Sequence, residues 1–336
     1  MNPTEFRRHL HAHPELSFKE HDTAAFIADR LTELGIEHRP IARTGVLAWI
    51  EGRGKADPKR RAVVLRADID ALPITEQNDI GWRSCTPGVM HACGHDMHAA
   101  VLFGVLQQLA AEPDFRGTLF GLFQPGEETF EGARAAIADG LLENPRPQAA
   151  FAMHVNSQSP LGLVLYGSPA LSGVYGFRIT LQGKGGHGSS PEICIDPITA
   201  AAHIHIALQE INSRELKPGD VGVLTTGRFE AGAASNVIPD VAQMWGTIRT
   251  TDPENKTGEL IRTRMTEIAQ GVAAAFRCTA EVSFADYCPC MVVDKPLAQN
   301  ALTYMTELLG RGAMDMTSLT GGKPGGGSED LSLIHI

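Results

Sequence analysis

Four short segments of the chain carry side chains able to bind metals and move protons. VVLRADIDALP (63–73) sets Asp68 and Asp70 two residues apart, which on extended chain points both to one side. VMHACGHDMHAA (89–100) flanks Gly94 with Cys93 and His95, and GTLFGLFQPGEE (117–128) ends on the adjacent pair Glu127 and Glu128. QAAFAMHV (148–155) delivers His154. Thiolate, imidazole and carboxylate are the donors that suit zinc and neighbouring divalent metals. Two adjacent glutamates cannot both face one atom. A natural division puts one carboxylate on metal and leaves the other to take a proton from the water that the metal activates and pass it to a leaving amine.

Other residues of the same types read differently. Cys85, Cys194 and Cys278 fit the role of small buried hydrophobes. Cys288-Pro289-Cys290 has the look of a metal pair, but no further ligands lie near it in sequence. His203 and His205 fall inside a helical pattern and are expected to pack, and for His91 and His98 two readings stand open, part of the site or only a buttress to it. Asp68 and Asp70 also suit a capping or turn device. GKGGHGSS (183–190) lacks the spacing of a phosphate loop, which argues against nucleotide binding.

These segments need a frame that ends several strands at one rim. Residues 4–35 read as an amphipathic helical region closed by Gly35. Strands are expected at 45–50, 62–66, 117–123 and 149–153, with helices at 98–111 and 132–142 between the later ones. Such alternation predicts an α/β domain with a mostly parallel sheet and flanking helices, whose ligands collect beyond the carboxyl ends of the strands. All four segments fall at such ends. From 174 the order changes to strand 177–182, helix 197–212, strands 222–229 and 241–250, helix 255–275 and strand 280–284. That β-α-β-β-α-β order predicts an inserted α+β domain over 174–286. The catalytic domain is then expected over 1–173 and again over 287–330, with a helix at 296–309 and a Gly-rich loop at 321–327.

The 336 residues suffice for two domains, and 43% hydrophobic with 20% charged residues is ordinary for a globular enzyme. Acids outnumber bases 39 to 29, a net charge of −10 that disfavours nucleic acid or an anionic membrane as partner. No apolar run reaches the ~18 residues of a membrane span. The polar start MNPTEFRRH does not read as a signal peptide, and six scattered cysteines are expected to be cytoplasmic thiols or metal ligands rather than a disulfide framework.

FRRHLHAHPELSFKE (6–20), RADIDALP (66–73), MHACGHDMHAA (90–100), FQPGEE (123–128), GKGGHGSSP (183–191), NVIPD (236–240) and GTIRT (246–250) together carry a resemblance. In this order they are similar to the amidohydrolase branch of the aminoacylase and carboxypeptidase G metallopeptidase clan, which includes hippurate hydrolases, indole-acetyl-amino-acid hydrolases and N-acyl-amino-acid deacylases. The resemblance runs from residue 6 to Asp330. It implies hydrolysis of N-acyl-amino acids at two divalent metal ions, zinc or manganese, with cobalt or nickel as alternatives. Cys93, His95, Glu128 and His154 would be ligands, Glu127 the general base and Asp70 the acid that orients a ligand. Asp68 stands where the wider clan has a ligand histidine, which leaves open its contact with metal. His187 would reach across a homodimer, formed through the inserted lid, to the scissile carbonyl. Asn236 and Arg249, thirteen residues apart, would hold the substrate carboxylate, Arg249 through two parallel hydrogen bonds. A dipeptidase of the same clan and an inactive metal-binding homologue are the alternatives. Relatives run further past the Gly-Ser-Glu-Asp element at 327–330 and supply another metal-binding histidine there. The final LSLIHI (331–336) matches the translation of a sequencing-library transposon end, so it is expected to be non-native and His335 a poor candidate for that ligand.

Overall fold

Pro14 divides the first helical region. In the computed structural model, which describes residues 1–54, 62–143, 145–157, 159–166, 171–315 and 327–334, the expected single helix is two: α1 (Pro3–Ala12) and α2 (His21–Glu33). Proline has no backbone N–H and drives the preceding residue out of helical geometry, so the chain breaks at His13-Pro14. Asn2 and Glu5 close a reciprocal capping box at the start of α1. The expectations for 321–326 and for His335 lie outside the described residues.

The contacts divide the chain into two units, Met1–Leu163 with the residues from Leu333, and Val164–Ser332. The first is built on β1 (Glu37–Ile41), β2 (Gly45–Glu51), β3 (Ala62–Asp68), β4 (Thr118–Gln124) and β5 (Ala149–Ala152), in the order β1-β2-β4-β3-β5. The fold class is α/β, and the sheet is mixed. β3 runs parallel to β4 and β5, while β1–β2 and β2–β4 are antiparallel. Only three residues link β1 to β2, and so short a link permits only an antiparallel return. β4, TLFGLFQ, is buried along its whole length, as expected of a strand covered on both faces. α3 (His95–Ala111) and α1 pack on this sheet through Phe6, Leu10, Phe103 and Leu106, with Phe6 and Phe103 stacked at 4.3 Å between ring centroids. Because β3, β4 and β5 are parallel, all three end on one edge. α4 (Gly132–Ala138) follows the end of β4.

The second unit takes in the 174–286 stretch together with segments on either side of it. A parallel pair, β6 (Val164–Tyr166) with β13 (Ala313–Asp315), lies outside its main sheet. That sheet contains β7 (Gly173–Gln182), β9 (Gly222–Ala231), β11 (Val241–Thr250) and β12 (Thr279–Phe284) in the order β12-β7-β11-β9, every pair antiparallel. With α5 (Pro197–Ala207) and α6 (Lys256–Ala275) this is the expected β-α-β-β-α-β unit. The helices cover one face, burying Ile179, Leu181, Ile204, Met244, Ile248, Ile261 and Met265. β8 (Gly186–His187) and β10 (Val237–Ile238) form a small pair beyond the sheet. α7 (Lys295–Leu309) and a helical turn at Leu331–Ile334 follow. Among the described residues no helix is long and apolar enough to cross a membrane.

Candidate metal centre

Asp70 lies two residues past the end of β3 and is 1% exposed. Its Oδ1 lies 3.2 Å from His95 Nδ1, and its own carbonyl oxygen lies 2.9 Å from the same nitrogen. Two acceptors at Nδ1 put the proton there and leave Nε2 to donate a lone pair. Asp70 Oδ2 accepts from Ser17 Oγ (2.7 Å) and from the backbone N–H of Glu128 (3.0 Å). One carboxylate thus ties the α1–α2 connection, the end of β3, the start of α3 and the turn after β4.

Two glycines make the turns possible. Gly94, just before α3, has φ of +90°, and a Cβ there would come within 2.5 Å of Val155 Cγ2. Gly126 has φ of +65°, with the Phe18 ring 2.6 Å from where its Cβ would sit. L-residues rarely take this region, and neither site has room for a side chain. The Gly126 N–H donates to the buried Glu20 carboxylate at 3.0 Å. The chain then makes a single 3-10 turn, Glu127–Thr129. Glu127 Oε2 and Glu128 Oε1 stand 4.0 and 3.8 Å from His95 Nε2.

His154 follows β5. Its Nδ1–H donates to the Val155 carbonyl at 2.7 Å, which turns Nε2 toward Cys93 Sγ at 3.4 Å. Cys93, His95 and His154 therefore present ligand atoms all within 4.8 Å of one another, and so do His95, Glu127 and Glu128. The donor set fits a divalent cation. Nε2 of His95 and Oε1 of Glu128 are buried with no hydrogen-bond partner, an arrangement that burial penalises unless something positive satisfies both. Burial alone lowers the basicity of His95, but Asp68, Asp70 and Cys93 overcome it and push its pKa up to about 12. The field that draws a proton onto that nitrogen is the field that draws a metal. Burial, together with Asp70 and Asp68, outweighs the pull of His95 and pushes the Glu128 carboxyl up.

Asp68 is occupied otherwise. Its Oδ2 accepts from Arg66 Nη1 at 2.7 Å and its Oδ1 from His98 Nδ1 at 2.6 Å. Burial opposes its charge, yet Arg66, His95 and His98 hold it well below the usual carboxylate range. Arg66 is itself buried and also donates to Gln124 Oε1 at 3.0 Å.

In the second unit, His187 is exposed on β8, where Val237 is its strand partner. The Ser189 N–H donates to His187 Nδ1 at 3.2 Å, so Nε2 carries the proton and is a hydrogen-bond donor. The Asn236 carbonyl accepts from the Gly188 N–H at 2.8 Å, which sets Asn236 beside His187. Arg249 lies elsewhere. It is eight residues along β11 from Val241, the end nearest Asn236, a distance of roughly 26 Å at ~3.3 Å per residue. Arg249 and the Asn236 end of β11 thus lie at opposite ends of that strand. Arg249 Nη1 donates to Ser328 Oγ at 3.0 Å. The sequence offered no role for Ser17, Glu20, Arg66 or Gln124. Their only signal was that Ser17 and Glu20 fall inside the 6–20 motif and Arg66 and Gln124 in strands ending at the rim.

A family model of peptidase family M20/M25/M40 matches residues 64–332. The chain belongs to this family. It is 40% identical over 281 residues to an N-acetyl-L-cysteine deacetylase of Bacillus subtilis (strain 168), which covers 83% of this chain and 66% of that protein. It is 36% identical to the IAA-amino acid hydrolase ILR1-like 4 of Arabidopsis thaliana, over 98% of this chain and 73% of the relative. The chain thus spans about two thirds to three quarters of the length of these curated relatives. Among solved structures, the Bacillus subtilis YXEP protein, a dinuclear metal binding peptidase from the M20 family, superposes with a TM-score of 0.78 at 34% identity, covering 99% of this chain and 84% of that one. A Staphylococcus aureus structure gives a TM-score of 0.85 at 32% identity, with 99% and 85% covered. The branch implied by the sequence motifs is the branch these relatives represent.

Cys93→Ser replaces a thiolate donor with a hydroxyl of similar size, and zinc retained after dialysis is expected to fall by at least about tenfold. Cys85→Ser, at an exposed thiol, is the control and is expected to retain metal. Equal metal content in the two variants, by elemental analysis, removes Cys93 from the ligand set.

Proposed function

We propose that this chain hydrolyses the amide bond of N-acyl-amino acids at a pair of divalent metal ions. The observation that carries the reading is the convergence of Cys93, His95, Glu128 and His154 on one rim, with a second carboxylate, Glu127, beside the same histidine nitrogen. Cys93, His95, Glu128 and His154 would hold the cations, and Glu127 stands beside them outside the ligand set. When bound, such cations supply a Lewis acid that polarises a carbonyl and makes water acidic near neutral pH. The names of the relatives, a deacetylase of N-acetyl-cysteine and a hydrolase of IAA-amino acids, support an acyl-amino-acid substrate.

The protein's own groups then divide the work. Glu127 takes the proton from the attacking water and returns it to the departing amine, as a carboxylate that is not a ligand is able to do. Asp70 fixes the His95 ring and its tautomer, and through the Glu128 N–H it fixes the turn that bears both glutamates. His187 donates through Nε2–H to the developing oxyanion of the scissile carbonyl. Arg249 holds the substrate carboxylate. The separation of Arg249 from His187 and Asn236 supports service of His187 and Asn236 to the site of a second copy, and hence a homodimer.

Glu127→Gln preserves size but removes the proton acceptor. Metal content is expected to hold while kcat on hippurate or an N-acetyl-amino acid falls by ~10²–10⁴. Near-normal turnover in that variant would remove Glu127 as base. Crossing of His187 between copies is tested by mixing. His187→Ala and Glu127→Gln proteins, each nearly inactive alone, are expected to regain activity together, because one site of each mixed dimer has both groups intact. No recovery after confirmed subunit exchange overturns the exchange of His187.

A further inference from the structure

His98 is buried, and its two ring nitrogens are both used inside the protein. Nδ1–H donates to Asp68 Oδ1 at 2.6 Å, and Nε2 accepts the backbone N–H of Val155 at 3.0 Å. A backbone N–H can only donate, so Nε2 carries no proton and its lone pair is taken. Although His98, His95 and Asp68 lie close enough to hold an ion, this pattern makes His98 a poor ligand. What it grips instead is the segment that carries His154. β5 ends at Ala152, so the Val155 amide finds its partner in a side chain rather than in the sheet. The Val155 carbonyl in turn accepts the Nδ1–H of His154 at 2.7 Å. The rings of His98 and His154 also meet edge to face, 4.6 Å between centroids and 67° between planes.

An unbroken series of polar contacts therefore leads from the buried Arg66, through Asp68, His98 and the Val155 backbone, to an exposed histidine whose Nε2 meets Cys93 Sγ at 3.4 Å. Each link fixes the next. Arg66 holds Asp68, Asp68 sets the tautomer of His98, and that tautomer leaves Nε2 able to accept the Val155 N–H. The peptide so held aims His154 at the thiol.

We infer that His98, backed by Asp68, is a positioning residue that holds the Val155 peptide so that His154 meets the metal beside Cys93. The inference rests on the reading of His154 as a ligand. It gives Asp68, which stands where the wider clan has a ligand histidine, a task through His98 in addition to its field at His95 Nε2, 3.7 Å from its Oδ2.

Three substitutions separate the two hydrogen bonds of His98. His98→Gln reaches far enough to accept the Val155 N–H but is not placed to donate to Asp68. His98→Asn keeps the donor toward Asp68 and loses the acceptor for Val155. His98→Phe keeps the ring and loses both. Zinc affinity is measured by competition with a chelator, and occupancy of the thiolate-bearing site is read from the thiolate-to-cobalt absorption band during Co2+ titration. The melting temperature of each metal-free variant separates loss of fold from loss of aim. Asn and Phe are expected to weaken metal binding about 10- to 100-fold, and Gln by no more than about threefold, at similar melting temperatures. Wild-type affinity in Asn or Phe, or a loss in Gln equal to that in Phe, overturns the inference. His154→Ala distinguishes the two levels of the claim. If it binds zinc and Co2+ as the wild type does, the ligand reading fails first. If it loses them while Asn and Phe do not, the positioning role alone fails.

Discussion

The hydrogen bonds of one buried carboxylate fix the candidate site. Asp70 makes four hydrogen-bond contacts to three other segments, and its two oxygens and carbonyl set the His95 tautomer, the Ser17 loop and the Glu127–Thr129 turn. An anion buried to this degree is costly unless hydrogen-bonded and opposed by positive charge. Burial raises the energy of the ionised form, and the bonds from His95, the Glu128 amide and Ser17 overcome it, so the carboxyl stays below its usual range. Removal of any one partner would leave the others anchored to a charge without compensation. The turns at Gly94 and Gly126 are shaped to let these bonds form, because a side chain at either position would strike Val155 or Phe18.

Asp68 repeats the device on the other side of the rim. Its two oxygens are taken by Arg66 and His98, and the consequence is passed to the end of β5 rather than to β4. The two aspartates, alternate residues at the end of one strand, thus organise separate halves of the donor set. Asp70 governs His95 and the glutamate turn, and Asp68 governs the approach of His154 to Cys93. The ring nitrogen of His95 that these acids leave exposed to the cluster is the point at which both donor groups meet.

Much of this was legible in the sequence because metal donors in an α/β protein must sit where strands end, and strand ends can be read from apolar runs. VVLRAD, TLFGLFQ and AAFA mark their own limits, so Asp70, Glu127, Glu128 and His154 could be placed on one rim. The β-α-β-β-α-β order was equally plain, since β7, β9, β11 and α6 each run to ten residues or more. The losses have physical causes. The short strand EHRPI at 37–41 carries neither alternation nor an apolar run, so the β1–β2 hairpin and the mixed character of the sheet were hidden. His98 could be placed near the site but not given partners, because they lie 30 residues before it and 57 after it.

Every role assigned to this rim requires that it bind metal through one sulfur and a surrounding set of nitrogen and oxygen donors. X-ray absorption at the zinc edge of the metal-loaded protein measures that shell directly. The account predicts a single Zn–S distance of ~2.3 Å among Zn–N and Zn–O distances of ~2.0–2.2 Å. A shell with no sulfur, or one with two or more, would contradict it: the first by removing Cys93 from the centre, the second by placing the metal at other cysteines.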